Sequence, residues 1–287
     1  MTDCTIVVAT HNRRDVLDST LAKLETLSER PPIIVVDNAS TDGTAPLVKR
    51  RHPGVRVLRL SENIGAAART EGVRIADSRY VAFCDDDCWW RSGAIARAVS
   101  LLDAHPEVAL LNAQVVVRDE RVDEACTLMA ESPLPKRTAC PGSAIASFMA
   151  GASVVRRDAF LNAGGYHERY HIGAEESLLA VDLLASGWEL IYVEDLVVDH
   201  DPHTAGRVPE RRARLVMRNR LWTAWLRRSW SGALRATLAL ARKGTRDPVA
   251  RAALREAVGG LPWVLRERRP VDARVEAFLE VVTEPPS

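Results

Sequence analysis

YVAFCDDD, residues Tyr80–Asp87, is an apolar run that ends in three consecutive aspartates. Continuous apolar runs of four to eight residues are typical of strands that are buried on both faces of a parallel sheet. Three neighbouring carboxylates repel one another unless a cation or hydrogen-bond donors offset their charge. The stretch therefore predicts a buried strand, Tyr80–Cys84, with a site for Mg²⁺ or Mn²⁺ at its end. Three carboxylates that are simply solvated on an exposed loop are the alternative interpretation.

Strand and helix patterns alternate on either side of this stretch. The predicted strands of the first half are Thr5–Ala9, Ile33–Val36, Val55–Leu60 and Tyr80–Cys84, and the predicted helices are Arg14–Leu27, Ser40–Arg51, Ala66–Ala76 and Ile95–Leu102. This alternation predicts an α/β fold with a doubly wound sheet, in which ligands bind at the carboxyl ends of the strands.

The second half is less regular. Its predicted elements are strands at Ala109–Val117, Ser153–Val155, Leu190–Val193 and Leu196–Val198, helices at Arg157–Ala163 and Glu175–Ala185, and a loop at Ser132–Gly142. Beyond about Arg207 the pattern is helical to the end of the sequence. No stretch approaches the roughly 20 consecutive apolar residues of a membrane span, and no signal peptide is evident at the start.

Polar residues follow each of the first four predicted strands. They are Thr10, His11, Asn12 and Arg13 after the first, Asp37, Asn38, Ser40, Thr41 and Asp42 after the second, Ser61, Glu62, Asn63 and Gly65 after the third, and Asp85, Asp86 and Asp87 after the fourth. Each group alone is explained equally well by turn formation and helix capping. All four groups belong to one edge of the predicted sheet, which favours a binding site.

Six segments, in order and at characteristic spacing, resemble the family-2 glycosyltransferases, which are inverting enzymes with the GT-A fold. They are TIVVATHNR (Thr5–Arg13), IIVVDNASTDGT (Ile33–Thr44), SENIGAAARTEGV (Ser61–Val73), YVAFCDDD (Tyr80–Asp87), AGASVVRRDAFLNAGGYHE (Ala150–Glu168) and GAEESLLAVDLLASGW (Gly173–Trp188). The resemblance covers about residues 4–203. It implies a GT-A fold with a mixed sheet, and transfer of a sugar from a nucleotide-diphosphate sugar to a hydroxyl acceptor.

The resemblance also implies roles for individual residues at the donor site. The expected nucleotide-sugar contacts are Thr10, Asn12, Arg13, Asp37, Asn63, Gly65, Arg69, Asp85, Asp86, Gly151 and Ala152. Among them, Asp37 matches the aspartate that binds the base, and Gly151 and Ala152 match the loop that approaches the donor sugar. Asp85 and Asp87 match the two ends of the DXD motif. Both are expected ligands of Mn²⁺ or Mg²⁺, with Asp87 holding the ion and Asp85 lying nearer the ribose.

Two further positions complete the expected site. Glu175 and Glu176 match the family's acidic pair, whose second member, Glu176, corresponds to the catalytic base. An acidic pair that simply favours a helix N-terminus is the alternative interpretation. His200 resembles a histidine that completes the metal site, although His203 is close enough in sequence to take its place. The base is Glu here where Asp is more common.

Charge divides the chain unevenly. Residues 1–202 carry 21 Lys and Arg against 30 Asp and Glu, whereas residues 203–270 carry 17 against 4. We therefore expect a catalytic domain at residues 1–205 and a basic, helical region at residues 206–287. That region, with Trp222, Leu226 and Trp230 among many arginines, is expected either to pack on the catalytic domain or to contact an anionic membrane surface peripherally. Nucleic-acid binding is not expected, because no recognition module accompanies the charge.

Five cysteines at irregular spacing indicate reduced, buried thiols rather than a zinc site, and a protein of the cytoplasm. A sugar nucleotidyltransferase is an alternative function, but the first strand is not followed by a glycine-rich loop. A non-catalytic nucleotide-sugar binding module is another, although the acidic triplet and the expected base are both present. UDP is the favoured donor nucleotide, GDP and dTDP stay open, and the acceptor is a saccharide, a lipid-linked glycan or a small molecule.

Overall fold

A computed structural model describes residues 3–117, 120–203 and 209–283. One mixed sheet forms the centre of the molecule. Its strands are β1 Cys4–Thr10, β2 Ile33–Asp37, β3 Arg56–Arg59, β4 Tyr80–Asp85, β5 Cys88–Trp90, β6 Val108–Val117, β7 Arg121–Val122, β8 Ser143–Ala144, β9 Ser153–Arg156 and β10 Glu189–His200.

Helices cover the sheet and form the C-terminal region. They are α1 Arg14–Leu24, α2 Thr44–Arg51, α3 Ala68–Ile75, α4 Ala94–Ala104, α5 Glu124–Ala130, α6 Arg157–Asn162, α7 Glu175–Ala185, α8 Pro209–Arg227, α9 Trp230–Gly244, α10 Pro248–Gly259, α11 Leu261–Glu267 and α12 Ala273–Thr283. Short 3₁₀ turns lie at Gly65–Ala67, Ala150–Ala152 and Glu168–Tyr170.

The main path of the sheet runs β3-β2-β1-β4-β9-β6-β10-β5, with β7 beside β6 and β8 beside β10. The first four strands on this path are parallel, so β1, β2, β3 and β4 all end at one edge. Strand β9 lies antiparallel between β4 and β6. Parallel strands need apolar side chains on both faces, and β1, β2 and β4 are buried almost throughout.

The predicted α/β architecture with a mixed sheet is confirmed, and the predicted elements of the first half lie within a few residues of those in the structure. One interpretation is corrected in the second half. The segments Leu190–Val193 and Leu196–Val198 belong to one strand, β10, whose register against β6 shifts between Val193 and Val197. The exposed Glu194 and Asp195 lie at this irregularity, so the polar interruption in the sequence marks a bulge and not a turn.

The basic C-terminal helices pack on the α/β body rather than standing apart from it. Tyr170 and Leu178 of the body share an apolar cluster with Trp222, Leu226 and Trp263, and Val275 and Phe278 of α12 join the main core. The expected boundary between residues 205 and 206 lies outside the described residues, as does Arg207, so the two-region division stays a proposal. In the described part of the chain, no helix is long and apolar enough to cross a membrane.

All five cysteines are free and buried. The thiol of Cys84 donates a hydrogen bond to the carbonyl oxygen of Cys88 at 2.9 Å. Burial raises the pKa of both of these thiols well above the ordinary value, because burial penalises the charged thiolate.

Candidate active site

The loops after β1 and β2 are joined to each other. Asn12 takes a left-handed conformation with φ of 53°, which Asn tolerates better than most residues. Its side-chain oxygen accepts a hydrogen bond from the backbone N–H of Thr41 at 2.8 Å. Its own N–H donates to Ser40 Oγ at 2.9 Å. Asn12 therefore shapes the first loop through internal bonds.

Asp37, at the end of β2, is buried, and one of its carboxylate oxygens accepts no hydrogen bond from a described residue. Oδ1 accepts the N–H of Ser40 at 2.9 Å, whereas Oδ2 has no hydrogen-bond partner among the described residues. The largely exposed Arg59 lies nearby, with its Nε 3.6 Å from Oδ2. A buried oxygen without a donor is costly, so this atom is suited to accept an N–H from a ligand once Arg59 moves aside.

The three aspartates of the triplet have different partners, and Asp86 is turned into the protein. Its Oδ2 accepts the hydroxyl of Thr10 at 2.7 Å, and its Oδ1 accepts Arg13 Nη1 at 2.7 Å. Burial raises the pKa of Asp86 to about 6, while the Arg13 charge opposes the shift. Each oxygen of Asp86 already accepts a hydrogen bond within the protein, and the residue is buried. Its predicted contact with the donor stays a prediction.

Asp85, at the end of β4, lies on the other side of the triplet and is ion-paired with the mostly buried Arg69. Gly151, in the turn before β9, leaves space for Asp85, because a Cβ there would lie 2.6 Å from the Asp85 carboxyl carbon. Ala152 is buried in the same turn. The structure therefore brings together Asp85, Arg69 of α3 and the turn that contains Gly151.

Asp87 and His200 meet at the opposite end of the triplet. His200 Nε2 lies 3.6 Å from Asp87 Oδ1, and Cys88 is the cross-strand neighbour of His200. Strand β5, which the sequence analysis missed because it is only three residues long, produces this pairing. Among the described residues, Asp87, Cys88 and His200 form the one group of His, Cys, Asp or Glu side chains close enough to share a metal ion.

The geometry at Asp87 fits a divalent cation. Oxygen and nitrogen ligands bind such ions at about 2.0–2.2 Å, so two ligand atoms 3.6 Å apart can contact one ion. Arg13 Nη2 donates to the other oxygen of Asp87 at 3.0 Å. His203 contributes its backbone N–H to that oxygen, and its ring Nδ1 is bonded to Asp201 O at 2.8 Å. Of the two histidines, His200 is therefore the one whose ring approaches Asp87.

Glu175 and Glu176 begin helix α7, where the helix dipole favours negative charge. Burial raises the pKa of Glu175 above its ordinary value. Burial, and then the neighbouring Glu175 charge, raises the pKa of Glu176 to about 8. Glu176 as a residue is half-buried, and its carboxyl group is largely desolvated.

Three polar atoms beside this pair lack partners within the part of the chain that is described. They are Glu175 Oε2, Arg69 Nε and Tyr166 OH. Burial raises the pKa of Tyr166 well above its usual value, and the charges of Arg69, Glu176, Glu175 and Asp85 all act on it. A cluster of buried polar atoms without partners is rare in proteins and marks a place where a ligand or water binds.

The loop before α7 is strained and touches the donor side. His171 has φ of 57° and ψ of −72°, and Ile172 N donates to Tyr170 O at 2.7 Å across it, which forms the rare γ-turn with positive φ. The His171 carbonyl accepts the N–H of Ala66 at 2.6 Å. Gly65, with φ of 65°, lies so close to that carbonyl that a Cβ would overlap it.

Asn63 stabilises the approach to this contact. Its side-chain oxygen accepts the N–H of Gly65 at 2.9 Å. Asn63 and Gly65 therefore stabilise the local turn. This turn leads into the segment that carries Arg69.

Asn219 on α8 holds the strained loop, and the sequence analysis did not identify it. This fully buried side chain donates to the carbonyl oxygens of Tyr170 at 2.9 Å and of Gly173 at 2.6 Å. Further along α8, Arg227 forms an ion pair with Asp182 of α7. One signal was available: Asn219 is a polar residue between the buried Leu215 and Trp222 on an otherwise apolar stripe.

Comparisons with known proteins identify the family of the chain. Residues 5–162, more than half of the chain, match the model of the family described as "Glycosyl transferase family 2". The chain is 29% identical over 245 residues to N-acetylglucosaminyl-diphospho-decaprenol L-rhamnosyltransferase of Mycobacterium tuberculosis, covering 73% of this chain and 80% of that protein. It is 28% identical to the UDP-Glc:alpha-D-GlcNAc-diphosphoundecaprenol beta-1,3-glucosyltransferase WfaP of Escherichia coli, over 34% of this chain and 40% of that one.

A solved structure shows the same fold over almost the whole chain. It is the mannosyltransferase PcManGT from Pyrobaculum calidifontis in complex with GDP-Man and Mn²⁺, with a TM-score of 0.61 and 20% identity, covering 98% of this chain and 85% of that one. The GT-A fold that the sequence predicted is thereby confirmed. The family match establishes the class of protein: the chain belongs to glycosyl transferase family 2, and it is a glycosyltransferase.

Proposed function

We propose that the protein is an inverting, metal-dependent transferase that moves a sugar from a nucleotide-diphosphate sugar, with UDP favoured, to a hydroxyl of a lipid-linked glycan. The observation that carries the proposal is the cluster of Arg69, Tyr166 and Glu175, whose unpaired buried atoms lie beside Asp85 and Glu176. It joins the donor edge of the sheet to the helix that bears the expected base.

The donor nucleotide would lie across the ends of β1 and β2. Asp37 Oδ2 has no donor of its own, and it would accept an N–H of the base after the exposed Arg59 has moved. Asp85, held by Arg69, would accept from a ribose hydroxyl. Thr10, Asn12 and Arg13 would act indirectly on the donor. Their side chains hold the first loop and the aspartates in place.

Asp87 and His200 would hold Mn²⁺ or Mg²⁺, and Arg13 keeps the second Asp87 oxygen in place. A bound cation of this kind stabilises the negative charge that develops on a leaving diphosphate. We propose Asp87 as the first ligand, because one of its oxygens faces the imidazole. Asp85 would contact the ribose rather than the ion, because Arg69 already offsets its charge.

Glu176 would act as the general base. The attacking hydroxyl has a pKa far above neutrality, so a positioned carboxylate must take its proton during the displacement. The pKa of about 8 makes Glu176 a stronger base than an ordinary carboxylate. One in-line displacement with a single base inverts the anomeric centre, without the carboxylate nucleophile that retaining glycosidases use.

A lipid-linked acceptor is supported by the two relatives, whose names specify acceptor glycans on decaprenyl and undecaprenyl diphosphate. Both alignments are below one third identity, so the sugar and the glycan are not carried over. We propose further that the protein stays in the cytoplasm and contacts the membrane peripherally through its C-terminal helices.

A thermal-shift screen of UDP, GDP, dTDP and CDP, each with and without Mn²⁺, tests the donor site. We expect one nucleotide to raise the melting temperature strongly with Mn²⁺ and weakly without it, because a ligand that binds only the native state stabilises it. The Asp37→Ala variant should lose the shift, and Leu128→Ala, an exposed leucine on α5 far from these residues in sequence, should keep it. No shift with any nucleotide and metal at millimolar concentration would contradict the proposal.

A further inference from the structure

Helix α9 exposes a stripe of large apolar side chains. Trp230, Leu234 and Leu238 are 69%, 59% and 47% exposed. Residues four apart lie on the same face of a helix, so the three side chains form one continuous ridge, which we call the α9 ridge. Isolated exposed leucines are ordinary, but a tryptophan and two leucines in line on one helix mark an interaction surface.

The ridge belongs to a firmly held helix. Ser229 caps its start by accepting the N–H of Gly232 at 3.1 Å. On the inner face, Trp225 Nε1 of α8 donates to Thr237 Oγ1 at 2.8 Å, and Ala233 is buried. The inner face of α9 is therefore occupied by the protein itself, and the ridge is the side that is left for another partner.

Positive charge borders the ridge. Arg235 and Arg242 fall beside Leu238 at about 40–60° around the helix, and both are exposed. A recess at the end of α9 is lined by Arg242, Lys243 and Arg246, together with Asp247. Arg235 is ion-paired with Glu280 of α12, and Lys243 Nζ lies 3.9 Å from Asp247 Oδ2. Arg242 and Arg246 therefore supply most of the positive charge that is not offset by a neighbouring carboxylate among the described residues.

The charge of the whole region points the same way. Residues 203–270 carry 17 Lys and Arg against 4 Asp and Glu, whereas residues 1–202 carry an acidic excess. An anionic surface would attract the C-terminal helices and repel the body. Apolar side chains with tryptophan on one face and arginine or lysine beside them are typical of helices that lie in the interface of an anionic bilayer.

We propose that the α9 ridge and its basic border are the surface by which this protein binds an anionic lipid bilayer. The ridge inserts Trp230, Leu234 and Leu238 among the headgroups, and Arg242, Lys243 and Arg246 contact lipid phosphates. This inference deepens the proposed function, on which its biological use rests, because a membrane-bound enzyme meets a lipid-linked acceptor in the plane of the bilayer. The binding itself requires neither donor nor acceptor.

Vesicle flotation tests the surface directly. The full chain is mixed with vesicles of phosphatidylcholine alone, or with equal parts of phosphatidylcholine and phosphatidylglycerol, at low and at high salt. We expect flotation with the anionic vesicles at low salt and much less with the neutral ones. Leu234→Glu combined with Leu238→Glu should weaken binding by about tenfold or more, because two apolar side chains that would be buried among the headgroups become charged.

Matched controls separate the ridge from general stickiness. Leu128→Glu changes a leucine that is 73% exposed on α5, and it should leave flotation unchanged. Arg242→Glu with Lys243→Glu should reduce flotation with anionic vesicles and remove its salt dependence. The tryptophan fluorescence of the wild type should shift to shorter wavelength when vesicles bind. The Trp230→Phe variant, which keeps the other tryptophans, should lose that shift.

Two results would overturn the proposal. One is equal flotation of the wild type and the ridge variant; the other is a ridge variant that turns a dimer into a monomer while no form binds vesicles, which would assign the ridge to a second copy of the chain. Nucleotide thermal shifts measured on the same variants keep the two proposals apart. A ridge variant that loses vesicles but keeps the nucleotide shift supports the surface, and a chain that floats without any nucleotide shift counts against the donor site alone.

Discussion

The two acidic clusters of the active site differ in how their charge is offset. At the triplet, Arg13 bridges Asp86 and Asp87, and Arg69 is ion-paired with Asp85. At the start of α7, Glu175 and Glu176 form no ion pair with another described residue, and Arg69, whose charge acts on both, is already paired with Asp85. The pKa of Glu176 accordingly rises to about 8. The pKa of Asp86 rises only to about 6, because the Arg13 charge opposes the effect of burial.

This contrast suggests different roles for the two acidic clusters. A carboxylate that is held by fixed cations stays charged and in place, which suits it to bind an ion or to fix a loop. A desolvated carboxylate without a partner holds its proton more tightly, which suits it to proton transfer near neutral pH. Substitutions in each cluster should therefore have different signatures.

The largest effect is expected from Glu176→Gln. The amide keeps the shape of the side chain but cannot accept the proton, so kcat should fall by about 10²–10⁴-fold. The rate of sugar transfer under saturating donor is the measurement. The nucleotide thermal shift should survive. A Glu176→Gln protein with wild-type turnover would remove Glu176 from the role of base.

Asp87→Asn should have the next largest effect. It removes the charge that faces His200, so turnover should fall by about 10²-fold or more, in line with the several kcal/mol that a metal contributes to charge stabilisation. The difference in nucleotide thermal shift with and without Mn²⁺ should vanish. His200→Ala should reproduce part of this loss. A shift that remains Mn²⁺-dependent in Asp87→Asn would place the ion elsewhere.

Asn219→Ala removes the hydrogen bonds that hold the loop before α7 and leaves the residues of both acidic clusters unchanged. The carbonyl oxygens of Tyr170, Ile172 and Gly173 lose the hydrogen bonds from Asn219, so the free energy of unfolding should fall by about 1–3 kcal/mol. Misplacement of Glu176 should also lower kcat, by up to about 10²-fold. The matched control is Thr237→Val, which loses the bond to Trp225 and should reduce stability with kcat intact. Equal kcat in both variants would limit Asn219 to a structural role.

Glu175→Gln should produce the smallest change, a shift in pH dependence. The Glu175 charge raises the pKa of Glu176, so its removal should move the acidic limb of the kcat/KM profile to lower pH. Stability gives a second measurement. The native pKa of Glu175 lies above its ordinary value of 4.5, so its contribution to stability is full below that value and is lost as pH rises through the native pKa.

The melting temperature of Glu175→Gln relative to wild type should therefore increase between acidic and alkaline pH. A limb that does not move, or one that moves to higher pH, would show that the two carboxyl groups are not coupled in the way described.

Sequence patterns predicted the donor edge well because its residues lie directly after strands. Thr10, Asp37 and Asp85 each follow or end an apolar run, and parallel strands must end at one edge. What the patterns did not distinguish was the direction of each side chain. Successive residues at a strand end point to different sides, so Asp86 turns inward between Thr10 and Arg13, although it sits within the triplet.

The acceptor side was less predictable because its contacts join distant parts of the chain. The bond from Asn219 to Gly173 spans 46 residues, and the pairing of Cys88 with His200 spans more than a hundred. No local pattern encodes either contact. The γ-turn at His171 is also invisible in the sequence, since a histidine there shows no preference for positive φ as strong as that of glycine.

The hydrogen bond from Ala66 N to His171 O joins the donor side of the site to the segment that bears the expected base. The segment on one side of this bond leads to Arg69 and the donor, and the segment on the other leads to Glu176. Because the turn at His171 is strained, a displacement of Ala66 would be transmitted to the start of α7. We therefore expect the position of Glu176 to depend on the conformation of the segment that leads to Arg69.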